Sequence, residues 1–134
     1  MINFSDTTPA AIGGGTNVLW QEDASGNVSA YCAPAKTTVA PVAGVLTLDA
    51  SLATSFLVTV NAAITSMSII NPSDGEEITI LWSQDATGHA ITLASNLNGA
   101  TAPSTGANTQ SCQKFTYNVS DTNWYATGVG VTGM

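Results

Sequence analysis

His89 is the single histidine of the chain, and its acids include two adjacent pairs, Glu22-Asp23 and Glu76-Glu77. Near neutrality a histidine can serve as general base, metal ligand or pH-sensitive contact. A zinc centre needs further ligands around it, and a serine-type triad needs a nucleophile and an orienting acid. His89 instead follows directly on Asp85-Ala86-Thr87-Gly88, a turn sequence in which a polar neighbour is ordinary, so a contact at a subunit boundary is the most it suggests. Neighbours on a strand point to opposite faces, so neither carboxylate pair aims two acids at one substrate. Asp74-Gly75-Glu76 offers oxygens, but calcium takes about six to eight and no consensus loop accompanies them. Gly13-Gly14-Gly15 has neither the strand before it nor the helix after it that a phosphate cradle requires. The expectation is therefore no catalytic residue, no metal ligand and no cofactor: a protein that is not an enzyme.

Aromatic residues are the other candidates. Trp20, Trp82, Trp124, Tyr31, Tyr117 and Tyr125 could stack sugars or fill a core. Trp82 alternates with Ile78 and Ile80, which predicts an inward position. Tyr125 is the one expected to stay exposed, as a glycan contact.

The elements that must position these side chains read as strands. Trp20-Gln21-Glu22-Asp23-Ala24-Ser25-Gly26 and Trp82-Ser83-Gln84-Asp85-Ala86-Thr87-Gly88 repeat one another. In each, Asp can accept a backbone hydrogen bond two residues on and Gly can adopt the left-handed conformation, which predicts a hairpin turn. The first hairpin pairs 17–20 with 28–31, behind an extended arm that ends at Gly13-Gly14-Gly15. Pro34 and Pro41 separate it from a series of short strands: 45–48, 56–60, 67–70, 78–82, 91–93, 113–117 and 124–126. A loop over 94–111 is rich in Asn, Gly, Thr, Ala and Pro. No window holds a helical period. Short strands at this spacing predict an all-β fold, an antiparallel β-sandwich of jelly-roll type, over residues 36–134. Residues 1–35, the arm and hairpin, form a docking segment.

Composition narrows the function. Of 134 residues only 8% are charged, against about 25% in typical domains, and the net charge is -7. Lys36 and Lys114 are the only basic residues besides the histidine. Nucleic-acid binding needs clustered Lys and Arg, and so does binding to an anionic membrane, so both partners are excluded. No apolar run is long enough to span a bilayer, and no basic segment precedes an apolar one at the N-terminus, so no secretory precursor is expected. A surface covered by Thr, Ser, Asn, Gln, Ala and Gly suits a protein held within an assembly. Cys32 and Cys112 lie far apart in sequence and read as two buried free thiols rather than a disulfide scaffold.

Several segments in order carry a family resemblance. They are Val45-Leu46-Thr47-Leu48-Asp49, Phe56-Leu57-Val58-Thr59-Val60, Ile69-Ile70-Asn71-Pro72, Asp74-Gly75-Glu76-Glu77-Ile78-Thr79-Ile80, Gln84-Asp85-Ala86-Thr87-Gly88-His89 and Asn123-Trp124-Tyr125-Ala126. The series resembles a β domain of tailed-bacteriophage virion proteins, the head-decoration and fibre-type appendages. The opening Asp6-Thr7-Thr8-Pro9-Ala10-Ala11, with Asn17-Val18-Leu19-Trp20-Gln21, is similar to an opening found in the same class. The chain departs from the commoner Arg-Thr-Val-Thr-Trp-Pro after the Gly-rich turn, having His89-Ala90-Ile91-Thr92-Leu93-Ala94 there.

The resemblance implies a structural role and no catalytic residues. It points to a homotrimeric capsid decoration (cement) protein on the exterior of the phage head, assembled in the host cytoplasm. Its partner would be the major capsid protein or another virion subunit, clamped across subunit boundaries. Ile2, Phe4, Ile12 and Trp20 are the expected anchors. The alternative is a receptor-binding module of a short head or tail fibre that holds a host glycan through 94–111 and Tyr125. A glycan-cleaving enzyme ranks below both.

Overall fold

The computed structural model describes residues 10–11, 18–22, 28–32 and 36–134. The chain divides into two compact units, Met1–Ala35 and Lys36–Met134. In the first, β1 (Ala10–Ala11), β2 (Val18–Glu22) and β3 (Val28–Cys32) form an antiparallel three-stranded sheet. Leu19 stands opposite Tyr31 and Trp20 opposite Ala30.

The second unit contains β4 (Lys36–Val39), β5 (Val45–Asp49), β6 (Ser55–Val60), β7 (Ser66–Ile70), β8 (Glu77–Gln84), β9 (Leu97–Asn98), β10 (Gln110–Asn118) and β11 (Asn123–Ala126). Its described residues include no helix. Its first half winds back and forth between two sheets. β4, β6 and β8 pair in parallel within a six-stranded sheet of order β4-β6-β8-β10-β11-β9, while β5 and β7 pair in parallel in a separate two-stranded sheet. Each pass crosses to the other sheet and returns, so successive strands in sequence are not neighbours in a sheet. The second half is conventional: β10 pairs antiparallel with both β8 and β11, and short β9 joins β11 in parallel.

The expected antiparallel, jelly-roll-like sandwich is therefore incorrect: the fold is all-β but mixed, with parallel pairs in both sheets of this unit. The physical reason is that side chains alternate across a strand whichever way its neighbour runs. Parallel pairing needs a crossover of roughly a dozen residues, and here that crossover is itself a strand: β5 lies between β4 and β6, and β7 between β6 and β8.

Alternation decides the core. β6 buries Phe56, Val58 and Val60, β8 buries Ile78, Ile80 and Trp82, and β5 buries Leu46 and Leu48. β10 and β11 add Phe115, Tyr117 and Trp124, the last two with ring centroids 5.0 Å apart and planes tilted by 49°. Such a tilted aromatic pair adds to the value of the area it buries.

The two turn repeats have different fates. The first lies in the β2–β3 hairpin, although residues 23–27 are outside the described set. The second does not make a hairpin. After Gly88 the chain leaves β8, whose antiparallel partner is the distant β10, and Ile91 forms only a parallel bridge to Ile64. Asp85 still makes the expected turn, its Oδ1 accepting the Thr87 N–H at 2.8 Å and the Gly88 N–H at 3.1 Å.

Candidate functional site

The buried face of β8 and β10 changes character along its length. Where Ile78, Ile80, Phe115 and Tyr117 end, Gln84, Ser111 and Gln113 continue the same inward alternation, and all three are buried. A buried amide must find partners or carry a desolvation cost. These find them in the long loop and the C-terminal tail. The Gln113 side chain accepts the Thr101 N–H at 2.7 Å and donates to the carbonyls of Gly128 at 2.7 Å and Gly99 at 3.3 Å. Gln84 accepts the His89 N–H at 2.9 Å and donates to the carbonyls of His89 at 2.8 Å and Ser104 at 3.0 Å. Ser111 Oγ accepts the Ser104 N–H at 2.9 Å. The 94–111 segment, expected as a free loop, is thus fastened from below by three side chains, with Leu97 and Pro103 buried in it. Sequence reasoning passed over both glutamines. Their signal was a polar residue at an inward position of the strand period, Trp82 to Gln84 and Phe115 to Gln113.

His89 Nε2 lies 3.1 Å from Asp85 Oδ2. The carboxylate of Asp85 sits below its ordinary value, first because of the Thr87 N–H and then because of the histidine. The remaining acids divide up as strand geometry requires. Glu76 accepts the Ser73 N–H at 2.8 Å, whereas Glu77 pairs with Lys114 Nζ at 2.8 Å. Asp74 accepts the Val119 N–H at 3.1 Å. Among the described residues no three His, Cys, Asp or Glu side chains are grouped to hold a metal ion. Neither is any helix there long and apolar enough to cross a membrane.

One surface aromatic is held in place. Tyr125 is 43% exposed, and its hydroxyl donates to Asp121 Oδ2 at 2.6 Å. That bond lowers the carboxyl of Asp121 and raises the phenol of Tyr125. The β10–β11 turn beneath carries Thr122 at φ 58°, a conformation a β-branched residue rarely adopts. Asp121 Oδ1 also accepts the Asn123 N–H at 3.1 Å, which holds the turn closed.

Among the other candidates, Trp82 and Trp124 lie in the core. Cys112 is a half-buried free thiol on β10 rather than a fully buried one. Ile2, Phe4 and Ile12 fall outside the described residues. Trp20 belongs to β2, Glu22 ends that strand and Cys32 ends β3, but their side chains are likewise outside the description, as is Asp23.

The lowered carboxylates give an expected pH response. Asp49, held down first by the Ser51 hydroxyl, Glu77 by Lys114, and Asp85 and Asp121 all bind a proton less readily folded than unfolded. Their contribution is complete above the ordinary aspartate value of 3.8 and is lost as pH falls through the lower folded values. Thermal melts across acid pH should show a midpoint that drops in that window. A midpoint that rises on acidification there would contradict these assignments.

No family model matches the sequence, and no curated protein matches it. A solved chain described as "Structure of a chaperone-substrate complex" is similar at 15% identity and a TM-score of 0.34. That likeness covers 83% of this chain and 21% of the solved one, so this chain spans about a fifth of its length.

Proposed function

We propose that the protein is a structural component of a bacteriophage virion, a capsid decoration protein that clamps neighbouring capsid subunits. The observation that carries this reading is how the polar chemistry of the second unit is spent. Its carboxylates and amides are committed to turn N–H groups, to loop carbonyls and to Lys114, which makes a fastened β framework. A charged fraction of only 8% suits surfaces that are covered in an assembly. The sequence resemblance to virion β domains supports the same role, with residues 1–35 as the docking segment.

Cryo-EM reconstruction of the intact particle tests it. Density for this chain at boundaries between capsid subunits is the expected result, and density confined to the tail would overturn it. A chain lacking residues 1–15 should keep its 36–134 unit folded and lose particle binding. Full binding by that truncated chain would remove the docking role of the segment.

The receptor-binding alternative has one observation in its favour, the fixed and exposed ring of Tyr125. A ring oriented in advance offers a stacking face at little entropic cost. Retention of the protein on immobilised host polysaccharide, lost on Tyr125→Ala, would favour that alternative.

A further inference from the structure

We propose that the outer face of the six-stranded sheet is a self-association surface, on which a second copy of this chain packs about a two-fold axis running across the strands. The strand register sorts the residues of this face into transverse rows. Thr38, Leu57, Leu81 and Cys112 stand side by side on β4, β6, β8 and β10. Val131, bridged to Cys112, extends the row. On one side of it runs Lys36, Ser55, Thr79 and Lys114, and on the other Thr59, Ser83 and Gln110. Leu57, Leu81 and Cys112 are half-buried and Val131 is 54% exposed, while the alternate residues of β6, β8 and β10 face the core. A band of apolar side chains therefore crosses the solvent side of the sheet, bordered by hydroxyls, one amide and both lysines of the protein.

Charge selects the occupant. Glu77 already neutralises Lys114 at 2.8 Å, so the rows present one uncompensated charge, Lys36, among the described ion pairs. A strongly charged partner finds little to pair with, whereas a nearly neutral face with its own apolar band does, and a second copy supplies one. Isologous packing about a two-fold axis allows two orientations of that copy. An axis along the strands sets Lys36 against the partner's Lys114, a like-charge contact that disfavours it. An axis along the apolar row avoids this. It lays Leu57, Leu81 and Cys112 each across from the same residue of the partner, and turns the lysine row toward the partner's uncharged row, whose oxygens can accept from Lys. Sheets packed face to face lie about 10 Å apart, close enough for these side chains to interdigitate.

This inference is independent of the virion role, and it favours a dimer over the homotrimer implied by resemblance. Sedimentation equilibrium of the full chain, from micromolar to sub-millimolar concentration, should give a reversible monomer–dimer equilibrium. Leu81→Lys should weaken dimerisation by at least about 30-fold, as expected for a central apolar contact. Val131→Lys, in the exposed tail, should weaken it without touching the sheet's own packing, which covers the case in which Leu81→Lys fails to fold. In a Cys32→Ser chain, a short bismaleimide should link Cys112 to the partner's Cys112, and Cys112→Ser should abolish the product. A monomer throughout the range, a trimer, or a dimer indifferent to both lysine substitutions would overturn the proposal.

Discussion

Gln113→Leu is expected to destabilise the protein by roughly 3 kcal/mol or more, although leucine fills a similar volume and suits a buried strand position. The loss comes from the groups the amide leaves behind. The Thr101 N–H and the carbonyls of Gly99 and Gly128 have no other stated partners, and each buried polar group left unpaired costs about 1–3 kcal/mol. The effect should be visible in two measurements. The urea midpoint should fall, and the Thr101 amide should exchange with solvent far faster than the amides of β8. Gln113→Glu sharpens the argument, because at neutral pH it replaces two donors by lone pairs facing two carbonyls. It should be at least as damaging there and recover as acid protonates it. A Gln113→Leu variant of unchanged stability would mean that the loop finds its partners elsewhere.

Gly88→Ala should also cost roughly 3 kcal/mol or more, for two reasons that add. Gly88 has φ +74°, and a Cβ there would lie 2.4 Å from the Thr105 carbonyl oxygen and 2.9 Å from the Ala107 nitrogen. Both obstacles are backbone, in a segment tied down by Ser111 and by the Asn108 N–H bond to the Asp85 carbonyl at 2.8 Å. Gly75 is the internal control. Its φ is nearly the same, +73°, but nothing lies within 4 Å of its Cβ position. Gly75→Ala should therefore show only the conformational cost, about 1 kcal/mol. Equal losses at the two sites, measured by urea denaturation, would show that the 105–107 backbone yields freely.

The comparison of these two glycines also shows what could be read in advance. Asp85-Ala86-Thr87-Gly88 announced a tight turn, and the turn is there, with Asp85 holding the Thr87 and Gly88 N–H groups. What the motif could not announce was the 105–107 backbone pressed against Gly88, a contact between segments brought together only by folding. The same turn was expected to close a hairpin and instead releases the chain from β8. Turn chemistry is local, whereas the choice of partner for β8 is not. Lys36–Val39 was overlooked as a strand, since it follows Pro34 and precedes Pro41, with little apolar content to mark it. Its existence rests on parallel pairing with β6.

By itself the sequence determined which side chains turn inward. Phe56, Val58 and Val60 on β6 and Ile78, Ile80 and Trp82 on β8 follow from a period of two, a property of each strand alone. It also determined the low charge and the sites of left-handed turns. Only the tertiary structure decided that β4, β6 and β8 run parallel and that β5 and β7 leave for a second sheet. It alone brought Gln84 and Gln113 beneath the 94–111 segment and aligned Leu57, Leu81 and Cys112 into one row. Side-chain alternation is identical in parallel and antiparallel neighbours, so strand direction and register carry no local signature. They are settled by which pairing buries all the inward faces at once while leaving no polar group in the interior without a partner.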